Sequence, residues 1–336
     1  MEKYQLFIDG KFCDAETGET RPTINPATEE PVALVPVATV ADTRKAIEAA
    51  RRSFDSGVWS NMPRRERYRI MMQIVEKLKE KEQHLMEIEA LDGGHTIRKT
   101  TMMDIPVGIE HFRLLADLAE KIDPYEPCPW VDFPYTSWNF VWREPIGVCA
   151  GIIPWNFPFM MAVWKIAPAL AMGNSVVLKP ASDTPLSALE FAKCIAETDL
   201  PPGVANLVIG SGSTVGAELC KSSLIDKIAF TGSTEIGREV MKMGADTIKK
   251  VTLELGGKSP SIVLEDADLD VAVDGCLFAT FFHMGQVCES GTRCFVPASI
   301  YDEFIARMVD RVKNNMKIGD TMDFETTVGP LVSKSQ

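Results

Sequence analysis

Between Ile146 and Glu254 the chain alternates short apolar runs with helical stretches, and this rhythm constrains the fold more than any other feature. Ile146–Ile153 is an apolar run too short for a helix. A helical stretch follows from Phe159 to Met172 and stops at Gly173. Ser175–Leu178 is rich in β-formers. Thr184-Pro185 offers a capping residue and a first-turn proline for the next helix. Val204–Ile209 reads as a strand, Ser213–Lys221 as a short helix, Ile225–Phe230 as a strand, Ser233–Ala245 as a helix and Val251–Glu254 as a strand. Near-continuous apolar strands joined by helices predict an α/β fold with a parallel sheet covered on both faces. Ligands of such sheets bind at the carboxyl ends of the strands. The stretch Ile146–Trp164 carries no charge, but Pro154, Asn156 and Pro158 interrupt it. A buried strand, loop and helix therefore fits better than a membrane span.

The flanking regions differ in character. Residues 40–90 read as two amphipathic helices, the second near Arg64–Leu91 with Ile70, Met71, Ile74, Leu78, Leu85 and Ile88 at helical spacing. Residues 123–145 are proline-rich and then aromatic and extended, as in a connecting ribbon. At 336 residues two domains are the default. A net charge of −12 argues against a nucleic-acid binder. Met1–Phe7 lacks the basic and apolar regions of a signal peptide. The eight cysteines include no Cys-x-x-Cys pair, so reduced thiols in a cytoplasmic protein are expected. The four histidines are scattered, and no metal site is expected.

Several residues offer chemistry, each with a plainer alternative. Gly210-Ser211-Gly212, with the next glycine at 216, misses the dinucleotide spacing and reads equally as a flexible turn. Phe230-Thr231-Gly232-Ser233 leaves a strand and opens a helix, where free N–H groups can meet a phosphate. A tight turn with Ser233 as cap explains it almost as well. Lys179 ends a strand, a position that suits a ribose or phosphate contact or simply a solvated loop. Pro154-Trp155-Asn156-Phe157-Pro158 holds an amide between two prolines, either as an oxyanion donor or as a structural turn. Glu254 closes its strand, where a carboxylate can act as general base or merely be solvated. Gly285-Gln286-Val287-Cys288-Glu289 places a cysteine in a polar loop after the apolar helix Val271–Phe282. The other cysteines sit mostly in apolar or helical contexts and read as core.

Taken together these segments resemble the aldehyde dehydrogenase superfamily. The match runs in the family's order over essentially the whole chain. It comprises Asn25-Pro26-Ala27-Thr28, Pro154 to Pro158, Lys179-Pro180, Phe230 to Ser233, Glu254-Leu255-Gly256-Gly257-Lys258, Gly285 to Cys288 and Gly329-Pro330-Leu331-Val332, with 34 positions between Glu254 and Cys288. The resemblance implies a Rossmann-like cofactor domain over residues 1–122 and 146–256. It also implies a projecting oligomerisation ribbon over 123–145 and the N-terminal part of an α/β catalytic domain over 257–336. Its implied chemistry is oxidation of an aldehyde to the acid with NAD or NADP. Cys288 attacks the carbonyl, Asn156 and the Cys288 N–H hold the oxyanion, hydride passes to the nicotinamide to leave a thioester, and Glu254 activates a water, or first the thiol, so that the acid is released. Cofactor contacts are implied at Ile153, Pro154, Trp155, Lys179, Ser182, Gly212, Gly216, Phe230, Thr231, Gly232, Ser233 and Leu255. Phe157, Met160, Met161, Trp164 and Phe282 are implied to line an apolar substrate tunnel, with core packing as the alternative for each. The presence of Glu254 favours hydrolysis over transfer to coenzyme A.

Two departures from the family pattern bear on function. Ser182 stands where many NAD-preferring relatives carry a glutamate, which removes a like-charge penalty against the 2′-phosphate of NADP. The chain also stops at Gln336, short of the family's usual C-terminus, and its missing segments include a glutamate that contacts the nicotinamide ribose. The expectation is a C-terminally truncated member, impaired in cofactor positioning and assembly, whose complete form is a homodimer or homotetramer. No membrane partner is expected. The competing functions are a cofactor-independent thiol esterase and an inactive remnant.

Overall fold

The computed structural model describes residues 1–336. It is an α/β fold built on a seven-stranded sheet. The N-terminal strands are β1 (Glu2–Lys3), β2 (Leu6–Ile8), β3 (Lys11–Cys13), β4 (Thr20–Ile24) and β5 (Pro31–Pro36). An antiparallel ribbon follows from β6 (Tyr125–Pro127) and β7 (Phe140–Trp142). The sheet strands are β8 (Val148–Ile152), β9 (Ser175–Lys179), β10 (Ala205–Leu207), β11 (Lys227–Gly232) and β12 (Lys250–Leu255). Last come β13 (Pro260–Ile262) and β14 (Arg293–Phe295), which pair with each other.

The large sheet has the order β12-β11-β8-β9-β10-β2-β3. Its first five members are parallel, and β2 and β3 extend it antiparallel. The chain winds outward from β8 to β10 and then crosses back to β11. The order therefore reverses between β8 and β11, and a ligand crevice opens at such a reversal. Every residue of β8 and β9 is buried, as their continuous apolar character requires. In β12 alternate residues are exposed, so the sheet is not covered on both faces at that edge.

The helices are α1 (Val40–Asp55), α2 (Arg64–Glu80), α3 (Glu82–Gly93), α4 (Ile97–Lys99), α5 (Ile105–Lys121), α6 (Pro158–Ala171), α7 (Leu186–Ala196), α8 (Ala217–Lys221), α9 (Thr234–Ala245), α10 (Leu269–Phe281) and α11 (Tyr301–Asn315). Three differences from the sequence reading have local causes. The periodicity over Arg64–Leu91 belongs to two helices, because the backbone leaves helical geometry at Lys81 (φ −105°, ψ 10°). Thr184 does not cap α7; its hydroxyl donates to the Trp155 carbonyl at 3.2 Å, and Pro185 is the flanking residue. The stretch Ser213–Lys221 opens as a π-helical turn over Gly212–Gly216, capped by the Ser211 hydroxyl, before α8 begins.

One apolar core packs the large sheet against α1, α2 and α5–α7, while Val263, Val273, Cys276 and Phe304 form a separate small core between α10 and α11. The ribbon projects Trp130, Phe133, Tyr135 and Trp138 into solvent.

Helix α3 holds two neighbours by their N-termini. Glu89 accepts from the Phe159 N–H in the first turn of α6, and Asp92 accepts from the Leu186 N–H of α7 at 2.8 Å. Both carboxylates satisfy donors that a helix start leaves unpaired. Burial, then the Asp104 charge, pushes the Glu89 carboxyl up to about 8 from an ordinary 4.5. A carboxyl whose folded pKa is raised gives its full stability below the unfolded value and loses it as pH climbs through the folded one. Thermal stability should therefore decline from about pH 5 to about pH 8, and Glu89→Gln should flatten that decline. Melting curves across the window check this; equal slopes for both proteins would contradict it.

Candidate active site

Register places the carboxyl ends of four strands side by side. Ile152 lies opposite Lys179 on β9 and Phe230 on β11, Thr231 lies opposite Glu254, and Gly232 lies opposite Leu255. One sheet edge thus presents a cation, a hydroxyl and a carboxylate. The loops leaving β8, β11 and β12 open onto a cavity of about 1110 Å³.

Its wall includes Pro154, Trp155, Asn156, Phe157, Met160, Met161 and Trp164 from the β8 loop and α6. Thr231–Glu235 come from β11 and α9, and Glu254–Lys258 from the end of β12. Phe282 and Gly285–Ser290 add a further part of the wall. The structure therefore brings Cys288, Asn156 and Glu254 to one cavity, together with Phe157, Met161, Trp164 and Phe282. A β-carbon built on Gly257 would lie 3.2 Å from the Cys288 carbonyl oxygen, so the segment after Glu254 abuts the cysteine backbone. Cys288 is exposed, and so is Glu254.

Not every implied cofactor residue reaches this cavity. Ile153 and Phe230 are buried behind it. Lys179, Ser182, Gly212 and Gly216 form a separate group along the same sheet edge. The Lys179 methylenes lie under Gly216, about 4 Å from where its β-carbon would be, and the Ser182 hydroxyl donates to Gly210 O at 3.2 Å. The Arg21 guanidinium donates to the Ser182 carbonyl. Burial, then Arg21, pushes the Lys179 ammonium down to about 8, with Asp183 opposing.

The loop carrying Cys288 is held under strain. His283 and Met284 adopt left-handed φ values of 50° and 56°, and Gly285 continues at 74°. Each non-glycine residue there costs roughly 1–2 kcal/mol. Hydrogen bonds hold the turn. Gln286 N and Nε2 donate to His283 O, Val332 N donates to Gln286 Oε1 at 3.0 Å, and the Asn156 Nδ2 donates to Gln286 O at 2.8 Å. The amide expected to face an oxyanion is thus oriented by the loop that precedes the thiol.

The Cys288 thiol donates to the Glu289 carboxylate at 2.5 Å. Desolvation, then this hydrogen bond and the Glu289 charge, pushes the thiol up to about 11. Glu289→Gln removes a charge that stabilises the protonated sulfur. It should raise the rate of Cys288 alkylation by iodoacetamide at neutral pH by about tenfold, as the thiolate fraction grows. An unchanged or slower rate would remove Glu289 from this role.

The sequence profile described as the aldehyde dehydrogenase family matches residues 12–336. The chain belongs to the aldehyde dehydrogenase family. It is 45% identical over 330 residues to betaine aldehyde dehydrogenase of Bacillus subtilis (strain 168), an alignment spanning 98% of this chain and 66% of that protein. It is also 45% identical to human retinal dehydrogenase 2, over 99% of this chain and 64% of the relative. The solved NAD+ complex of an aldehyde dehydrogenase from Bacillus cereus superposes with a TM-score of 0.95 at 42% identity, over 99% of this chain and 67% of that one. The chain thus spans about two thirds of the length of these relatives. No helix is long and apolar enough to cross a membrane.

Against this family background, the structure adds residues that the sequence reading passed over. Lys165 on α6 is one: burial lowers its ammonium and the Glu254 carboxylate pushes it back up. Histidines scattered in sequence also meet, with the His95 and His283 rings 4.3 Å apart. Cys294, read as core, is exposed, with its sulfur 3.7 Å from that of Cys276. None of these pairs carries a sequence spacing that signals proximity.

Proposed function

We propose that the protein oxidises an aldehyde to the carboxylic acid with NAD or NADP, through a thioester on Cys288. The observation that carries this reading is the meeting of Cys288, Asn156 and Glu254 in one cavity at the strand-order reversal. Names of similar proteins support the cofactor, since the Bacillus cereus structure is described as an NAD+ complex. The residues present suit a dinucleotide. Thr231 Oγ1 is buried without a partner at the cavity wall, three residues before α9 begins, and Gly212, in the neighbouring group with Lys179, has open space where a β-carbon would stand. Thr231, Gly232 and Ser233 would face the pyrophosphate, and Lys179 and Ser182 the adenosine ribose. When bound, the nicotinamide supplies a hydride acceptor.

The chain's own residues do the rest. The exposed Cys288 thiol gives its proton to solvent as the sulfur bonds to the aldehyde carbon, the carbonyl electron pair moves onto oxygen, and the Asn156 amide and the Cys288 N–H stabilise the resulting oxyanion. Glu254 takes a proton from the water that cleaves the thioester. Phe157, Met160, Met161, Trp164 and Phe282 give the approach an apolar wall that suits aliphatic, aromatic or betaine-type aldehydes. We read residues 1–122 with 146–256 as the cofactor-binding domain and 257–336 as part of the catalytic domain. The aromatic ribbon 123–145 supports homo-oligomer formation, and eight unpaired thiols suit the reducing cytoplasm.

An aldehyde panel with NAD and with NADP tests the function. The reading expects acid and reduced cofactor in equal amounts. Ester cleavage with no aldehyde oxidation would favour a thiol esterase instead.

A further inference from the structure

Behind Phe157 lies a buried charged cluster that the proposed chemistry leaves without a task. Lys99 and Asp104 are both buried, with side-chain exposures of 5% and 0%, and Lys99 Nζ lies 2.5 Å from Asp104 Oδ2. The same ammonium is 3.3 Å from His95 Nδ1. In an α-helix residues five apart point roughly 140° away from each other. Here the π-helical turn Thr100–Asp104 takes up an extra residue per turn and turns both side chains the same way. Glu89, His95 and Asp104 place ligand atoms within 4.8 Å of one another, as a metal site would. The Lys99 ammonium already supplies the cation there.

The cluster touches both halves of the candidate site. Lys99 Nζ lies over the Phe157 ring at 4.2 Å and 5.9 Å from the centre of the Phe282 ring. His95 meets the His283 ring edge-on. Phe157 follows Asn156 directly, and Phe282 and His283 open the strained turn that leads to Cys288. A buried ion pair is a weak source of stability compared with apolar side chains of equal volume. Its use here is directional, because a cation over two ring faces fixes where those rings sit.

We propose that Lys99, held by Asp104, is a positioning residue that clamps the Asn156–Phe157 turn to the Phe282–Gln286 turn and so sets the Asn156 amide against the Cys288 sulfur. This rests on the oxyanion role given to Asn156 above and assigns the device that aims it.

The test compares two reactions of Cys288 in the 336-residue chain, neither needing a cofactor. Acylation by p-nitrophenyl acetate joins sulfur to the acyl carbon, releases p-nitrophenolate and a proton, and builds up an oxyanion. Alkylation by iodoacetamide joins sulfur to the methylene carbon, releases iodide and a proton, and builds none. Two neutral pairs replace the clamp: Lys99→Gln with Asp104→Asn, and Lys99→Met with Asp104→Leu. Changing both partners avoids stranding a buried charge, and either folded pair suffices. Acylation should fall about tenfold while alkylation stays within about twofold, since misplacement of a catalytic group slows only the step that uses it. Equal changes in both rates, or no change in either, would overturn the clamp. Asn156→Ala in the parent chain separates the two ideas. If it slows acylation and the neutral pairs do not, only the clamp fails. If it leaves acylation unchanged, or the parent chain does not acylate at all, the oxyanion reading fails and the clamp with it.

Discussion

A Glu254→Gln variant given aldehyde and oxidised cofactor is expected to release about one equivalent of reduced cofactor per chain and then slow by roughly 10²–10⁴-fold, the range of a lost general base. The carboxylate sits one residue before the end of β12, opposite Thr231, near the strand-order reversal between β8 and β11, and lines the cavity that holds Cys288. It is exposed to solvent, so water reaches it. The amide of glutamine has nearly the same shape but accepts no proton at neutral pH. Thioester formation takes its proton from the solvent-exposed Cys288 thiol and not from the hydrolytic water, so the first turnover should survive and the second should stall. A stopped-flow trace at the absorbance of the reduced nicotinamide reads both phases. Steady turnover at the parental rate would remove Glu254 from deacylation.

Cys288→Ala should abolish aldehyde oxidation and ester acylation together, by roughly 10³-fold or more, because the bond-forming atom itself is gone. The contrast with the remaining thiols makes this informative. Cys149, Cys194 and Cys220 are buried, and burial pushes their thiols up to about 12, 12 and 11. Cys294 is exposed but does not line the cavity, so Cys294→Ala should leave the acylation rate near that of the parent chain. A Cys288→Ala chain that still oxidises aldehydes would mean that the chemistry runs through another group.

The parts of the fold that were legible in the sequence are those set by continuous burial. The runs around Val148–Ile152 and Ser175–Lys179 announced strands because both faces of each are covered. The helix after Pro158 was legible because proline suits a first turn. Asn156, Glu254 and Cys288 stood out as candidates because prolines, a strand end and a polar loop isolate them from ordinary core or surface patterns. The edge strands β2 and β3 were not legible: three residues each show no usable period, and their place beside β10 is a tertiary fact. The Lys99–Asp104 pair was hidden for a different reason. Its spacing of five opposes the two side chains on a regular helix, and only the π-helical turn reverses that. Likewise Thr184 looked like a helix cap, but the Trp155 carbonyl claims its hydroxyl. Propensity yields there to a contact between distant segments.

The most direct measurement is mass spectrometry of the Cys288 peptide after rapid acid quench of the chain with an aldehyde and oxidised cofactor. An acyl group on Cys288 that forms only when NAD or NADP is present is the predicted result. No adduct under any condition, or an acyl group on a different residue, would contradict the assignment.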